Sequence, residues 1–136
     1  MIVVAIIGIL AAIAVPKFAD MIRQSKEGAT KGNLGSIRSA FSVYYANTEG
    51  QLPASLAAMT INGGYMSVLP VSVVPYYHDD SSIENAVCPG ILFGPPDLAI
   101  WGCGGDLGGW AYNSSADIIA VNCTHTDSKG REWSLF

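Results

Sequence analysis

Residues 1–16, MIVVAIIGILAAIAVP, carry no charged side chain and almost no polar group, and the chain turns polar abruptly at Lys17. Such a stretch cannot stand bare in water, because every large apolar side chain left exposed forgoes about 1.5–3 kcal/mol of burial. Two things can cover it: a bilayer, or other copies of the same rod. The choice between membrane and assembly is the main functional statement of the sequence. At 136 residues the chain supports one domain, with roughly 90 residues beyond the first helical region to build one modest core.

The rod has a helical pattern with Gly8 inside it and Pro16 at its end, where proline removes a backbone donor and kinks or melts the preceding turn. Sixteen helical residues span about 24 Å, short of the ~30 Å hydrocarbon thickness of a bilayer, so Met1 is not expected to be the natural start. Beyond Pro16 the spacing of Leu34, Ile37, Phe41 and Tyr44 (or Tyr45) draws one apolar stripe along a continuing helix. Gly28, Gly32 and Gly35 lie in the same helix, and either permit close approach of a neighbouring helix or loosen this one locally. Stop and turn signals at residues 47–50 end it. Residues 1–48 are thus read as one long helix, a hydrophobic stem over 1–16 and an amphipathic half over 17–48.

Residues 49–136 form the head. A short helix is expected over 54–59 with Pro53 at its start. Irregular structure with short extended pieces follows through the glycines and prolines of 63–96. Strands over 110–112 and 118–121, joined by residues 113–117, read as a β-hairpin, and 132–136 as a final strand. The expected fold is α+β: a long N-terminal helix packed on a small antiparallel sheet, with a loop-rich C-terminal half.

Charge is unevenly placed. Residues 17–38 hold Lys17, Arg23, Lys26, Lys31 and Arg38 against Asp20 and Glu27, a balance of +3, whereas the remainder holds two cations against nine carboxylates, a balance of −7. The basic stem suits either a juxtamembrane position or attraction to a neighbour's acidic head. Five cations among small residues do not make a nucleic-acid surface. Cys88, Cys103 and Cys123 show no zinc-ligand spacing. A Cys88–Cys103 disulfide, stapling a Gly/Pro-rich loop, is the first choice of pairing in an oxidising compartment, although spacing alone leaves the connectivity open.

The opening run, followed by Lys17-Phe18, resembles the N-terminal segment of type IV pilins and of the related pseudopilins of type II secretion. A second match, Gly32-Asn-Leu-Gly-Ser-Ile-Arg-Ser-Ala-Phe-Ser-Val-Tyr-Tyr45 with Glu49-Gly-Gln-Leu-Pro53, resembles the end of the long helix and the first loop of the shorter bacterial members. A third, weaker one is Gly108-Gly-Trp-Ala-Tyr-Asn113 leading into the second hairpin strand. The resemblance implies a precursor held in the inner membrane, cut by a prepilin peptidase, methylated, and assembled by an inner-membrane platform into a helical homo-oligomeric filament. Met1, Ile2, Val3, Val4, Ala5, Ile6, Ile7, Ile9, Leu10, Ile13 and Val15 would then form the filament core. Gly8 and Pro16 would bound the segment that melts on assembly, and Leu34, Ile37, Phe41 and Tyr44 would anchor the head. The family's leader site and mature start, with its glutamate, would lie just upstream of Met1, the glutamate two residues before it. That departure is read as a truncation.

The function expected is that of a structural filament subunit serving adhesion, motility or surface contact outside the cell. One alternative is a major pseudopilin forming a short periplasmic filament, and another is a membrane-anchored binding module that never polymerises. No enzyme is expected: His78 and His125 fit no catalytic spacing. His78-Asp79-Asp80 reads as a solvated polar turn in preference to a metal site, and Ser36, Ser39 and Ser42 as helix-surface hydroxyls. No cofactor or metal is expected, with calcium held by Asp97, Asp106 and Asp117 as a lesser option, since some pseudopilins hold calcium in the head. Phe18, Phe41, Tyr44 and Tyr45 do not form a ring path within one chain, because residues 19–40 contain no aromatic and the gap is about 30 Å of helix; neighbouring subunits could bring rings together, but these rings are read as core packing.

Overall fold

The computed structural model describes residues 1–78, 84–87, 106–114 and 118–136. Helix α1 runs unbroken from Ile2 to Asn47, about 69 Å at 1.5 Å per residue. Pro16 is inside it; the Ala12 carbonyl loses its usual N–H partner there, yet the single chain stays helical. The helix ends at Thr48, whose N–H and hydroxyl both donate to the Tyr44 carbonyl at 2.9 Å. The chain then reverses through Glu49 (φ 55°) and Gly50 (φ 88°).

The head is a three-stranded sheet in the order β1–β2–β3, with β1 at Glu84–Val87, β2 at Trp110–Asn113 and β3 at Ile118–Val121. β2 and β3 form the expected antiparallel hairpin, Trp110 opposite Val121 and Asn113 opposite Ile118. β1 joins β2 in parallel, with an irregularity between Glu84 and Ala86, a pairing that the Gly/Pro-rich sequence around it does not announce. The fold is α+β, a long helix against a small sheet. Two expected elements differ in form. The helix after Pro53 is a 3-10 segment over Leu56–Gly63. The final strand is reduced to one bridge, Thr126 with Glu132, followed by a 3-10 turn at Trp133–Leu135. Trp133 explains the second change: its ring is 1% exposed, and a turn rather than a flat strand carries it into the core.

Among the described residues one main core joins the helix to the head. Leu34, Ile37 and Phe41 of α1 share it with Leu56, Met59, Val74, Trp110, Tyr112, Ile119, Val121, Cys123 and Trp133, and Tyr44 packs against its edge. Phe41 meets Tyr112 edge-on at 5.8 Å, and Tyr112 Oη donates to the Pro53 carbonyl at 2.8 Å and Trp110 Nε1 to that of Pro70 at 2.7 Å. These bonds matter because an unpaired N–H or O–H at such depth would cost about 1–3 kcal/mol.

Polar side chains extend the contact down the helix. The Thr30 hydroxyl donates to the Val73 carbonyl and accepts from the Val73 N–H, at 2.8 and 2.9 Å. The Arg38 guanidinium donates to the carbonyls of Ile119 and Phe136, both at 2.7 Å. Buried Glu27 accepts from the N–H and hydroxyl of Ser128. Lys31 pairs with Asp127, whose side chain is fully buried, and lies over the Phe136 ring at 4.0 Å. Burial pushes the Asp127 carboxyl up, but the Lys31 ammonium and the N–H groups of Arg131 and Lys129 outweigh it and hold the group at about 2.

A carboxyl depressed in the folded state contributes stability above its unfolded value of 3.8 and loses that contribution as pH falls through about 2. Asp127→Asn is therefore expected to lower the unfolding free energy at pH 7 by about 2 kcal/mol, the scale of hydrogen bonds to a charged group. In urea denaturation followed by tryptophan fluorescence, the gap between wild type and variant should close as pH drops from about 4 towards 2. A gap that is independent of pH would show that the charge is not what holds this turn.

Candidate functional site

The buried positions of α1 are Glu27, Thr30, Leu34, Ile37 and Phe41, spaced three and four apart. Their span sets how much of the helix the head covers, and residues 1–22 lie outside it, every one of them exposed. Along this bare half Ile2, Val3, Val4, Ile6, Ile7, Ile9, Leu10, Ile13 and Val15 are each at least half exposed, and Phe18, Met21 and Ile22 continue the apolar surface past Lys17. The apolar residues lie on every side of the rod, which is the pattern of a helix surrounded rather than one lying on a surface. By length and composition the helix is able to cross a membrane.

Gly8 has nothing within 4 Å of where a Cβ would be, and neither do Gly28, Gly32 and Gly35. All four are exposed, so no contact among the described residues requires glycine at those positions. Ser36, Ser39 and Ser42 turn their hydroxyls back to the carbonyls of Asn33, Gly35 and Arg38. They are satisfied by their own helix. Cys88 and Cys103, along with Trp101, Asp79, Asp80, Asp97 and Asp117, lie outside the described residues.

A second cluster sits on the head. His78 is not a solvated turn residue: its side chain is 12% exposed, and its Nε2 stands 2.7 Å from Asp106 Oδ1. His125 Nδ1 is 3.1 Å from Asp106 Oδ2 and 3.4 Å from Cys123 Sγ. Asp106 also accepts from the Thr124 hydroxyl at 2.8 Å and the Thr124 N–H at 3.3 Å. Burial works to raise the Asp106 carboxyl, but the Thr124 bonds and His78 lower it overall. Cys123 is a buried free thiol, pushed up to about 12 by burial first and by the neighbouring Asp106 carboxylate. Sequence spacing misses this group because its members are separated by up to 47 positions; the local trace is Cys-x-His at residues 123–125.

The fold and its bare rod define a class: an α+β chain whose head grips the far half of a long helix and leaves the near half to be covered from outside. The chain is similar to the fimbrial protein EcpC of Eikenella corrodens, 42% identical over 76 residues, which amounts to 53% of this chain and 49% of that protein. The chain thus spans about half the length of the curated relative it matches. No family model matches it, and no solved structure matches it.

Because the rod is exposed against the described residues of the head, charging it should alter solubility and leave the fold intact. With Ile6, Ile9 and Ile13 all changed to Asp, the chain is expected to move from the detergent phase to the aqueous phase in a cloud-point partition. The near-ultraviolet circular dichroism of Trp110 and Trp133 should be unchanged. Loss of that signal would mean that the near half of the helix supports the head after all.

Proposed function

We propose that this chain is the structural subunit of a pilus-like filament that leaves the cell, and that it works by assembly rather than turnover. The observation that carries the reading is the unsatisfied near half of α1. A rod apolar on all sides and gripped by a head only beyond residue 22 buries itself fully when its neighbours are copies of itself. Before assembly, a bilayer covers the same surface. The similarity to a fimbrial protein supports the same direction.

In finer terms, the filament is of the type IV class. Residues 1–15 pack at its axis, the heads face outward, and the exposed loops of the head make the surface contacts that serve adhesion or motility. Gly8 and Pro16 bound the stretch that unwinds on assembly. In the single chain that stretch is helical, but glycine raises the cost of helix there by about 1 kcal/mol and proline removes a bond, so packing forces have the least to overcome at this place. A prepilin peptidase and an inner-membrane platform belong to this reading. The resemblance to a fimbrial protein favours a long surface filament over the short periplasmic filament of an export machine.

Ile7→Asp tests the assembly role. Ile7 is 59% exposed in the single chain, so the head should fold normally, but in a helical bundle the new carboxylate would be buried without a partner. Negative-stain microscopy of material sheared from producing cells is expected to show long thin filaments for the wild type and none for the variant. Normal filaments from Ile7→Asp would remove the rod from the filament core.

A further inference from the structure

The His78, Asp106, Cys123 and His125 donor atoms all lie within 4.8 Å of one another. From this arrangement we propose that the head holds a zinc-like divalent transition-metal ion, with these four side chains as its ligands. The inference stands apart from the filament reading, and neither requires the other.

The separations lie close to those that one shared ion needs, with all four donor atoms within 4.8 Å of one another. Zinc bonds of about 2.0–2.3 Å place tetrahedral ligands about 3.3–3.8 Å apart, against 3.4 Å for Cys123 to His125, 3.1 Å for His125 to Asp106 and 2.7 Å for His78 to Asp106. The two Asp106 contacts, made through different carboxylate oxygens, have to open by about 0.2–0.6 Å, and any pair near the 4.8 Å limit has to close. The donor types agree as well. Two imidazoles, one thiolate and one carboxylate suit a borderline-soft ion, whereas calcium and magnesium take oxygen ligands. Four protein donors make a closed site of the structural kind.

The surroundings are built to hold these groups in place. The β2–β3 ladder continues past both strands through Gly108 N–H to the Asn122 carbonyl at 2.9 Å and Asn122 N–H to the Gly109 carbonyl at 3.0 Å. This continuation brings Asp106 across from Thr124, whose two hydrogen bonds orient the carboxylate. The third segment, the turn before His78, is admitted by Gly108: at φ +73°, a Cβ there would come 2.7 Å from the His78 Cβ. His125 is set by stacking on Tyr77 at 3.9 Å, and its N–H donates to the Cys123 sulfur at 3.3 Å. Outer-shell support of this kind is what metal ligands ordinarily have. A purely hydrogen-bonded group would use the Cys123 thiol as a donor to His125 Nδ1 at 3.4 Å, and the metal titration separates that arrangement from a metal site. The site is closed on its Cys123 side and open at His125, which is 40% exposed and leaves a way in for an ion.

The test uses untagged full-length chain in detergent, stripped with EDTA and titrated with Zn²⁺ against a chromogenic chelator, and separately with Co²⁺. One Zn²⁺ per chain is expected, with a rise in melting temperature that EDTA reverses. Co²⁺ should give the visible bands of a tetrahedral centre and a sulfur-to-cobalt charge-transfer band, the latter lost in Cys123→Ser. His125→Gln, at the exposed corner, should weaken zinc binding by more than the ~10–100-fold that loss of an outer-shell partner costs. If Cys123→Ser does not fold, His125→Gln carries the comparison alone. The proposal is overturned if no Zn²⁺ binds above the His125→Gln level, if bound Co²⁺ lacks the sulfur band, or if non-reducing mass spectrometry finds Cys123 in a disulfide.

Discussion

Leu34, Ile37 and Phe41 recur on one face of α1 and enter the same core as Trp110, Tyr112, Ile119 and Val121, and this contact sets the character of the whole chain. The burial of three large side chains, at about 1.5–3 kcal/mol each, binds the head to one half of the helix. The same contact leaves nothing with which to cover the other half. Because the helix is 46 residues long and its buried positions run only from Glu27 to Phe41, the residues before Arg23 are left exposed. The exposed apolar rod is therefore a consequence of how the head is anchored, and the need for an outside partner follows from it.

The apolar half of this logic was legible in the sequence. An uncharged run of sixteen residues, a three-and-four spacing through Phe41 and a turn signal near Gly50 are local patterns, and α1, its end at Asn47 and the β2–β3 hairpin all follow from them. What could not be read depends on distant pairing. The parallel partner of β2 joins Glu84 to Trp110, and no periodicity in four residues reveals that. The final strand expected over 132–136 gave way to a turn because burying Trp133 outweighed extended pairing. Proline at position 16 looked like the end of a rod, yet one missing hydrogen bond does not end a helix that has good helix formers on both sides.

The polar contacts were the least legible. Glu27, Lys31 and Arg38 read as charges on a solvated stem, but Glu27 is buried under Ser128, Lys31 neutralises the buried Asp127 and Arg38 caps two head carbonyls. The positive balance of the stem is thus partly spent inside the chain, which leaves less of it to attract neighbours or lipid than the charge count implies. The histidines tell the same story. Apart from Cys123 two residues before His125, neither has a group partner near it in sequence, and both meet Asp106 once the ladder beyond β2 and β3 has closed.

On the proposed reading, copies of the same helix cover the bare half of α1. A cryo-electron microscopy reconstruction of the assembled filament, at a resolution that shows side chains, tests this most directly. The account predicts residues 2–15 at the filament axis, each packed against the same segment of neighbouring subunits, with Leu34, Ile37 and Phe41 still inside their own head. A filament whose axis is formed by heads, with residues 2–15 facing solvent or absent from the contacts, would contradict it.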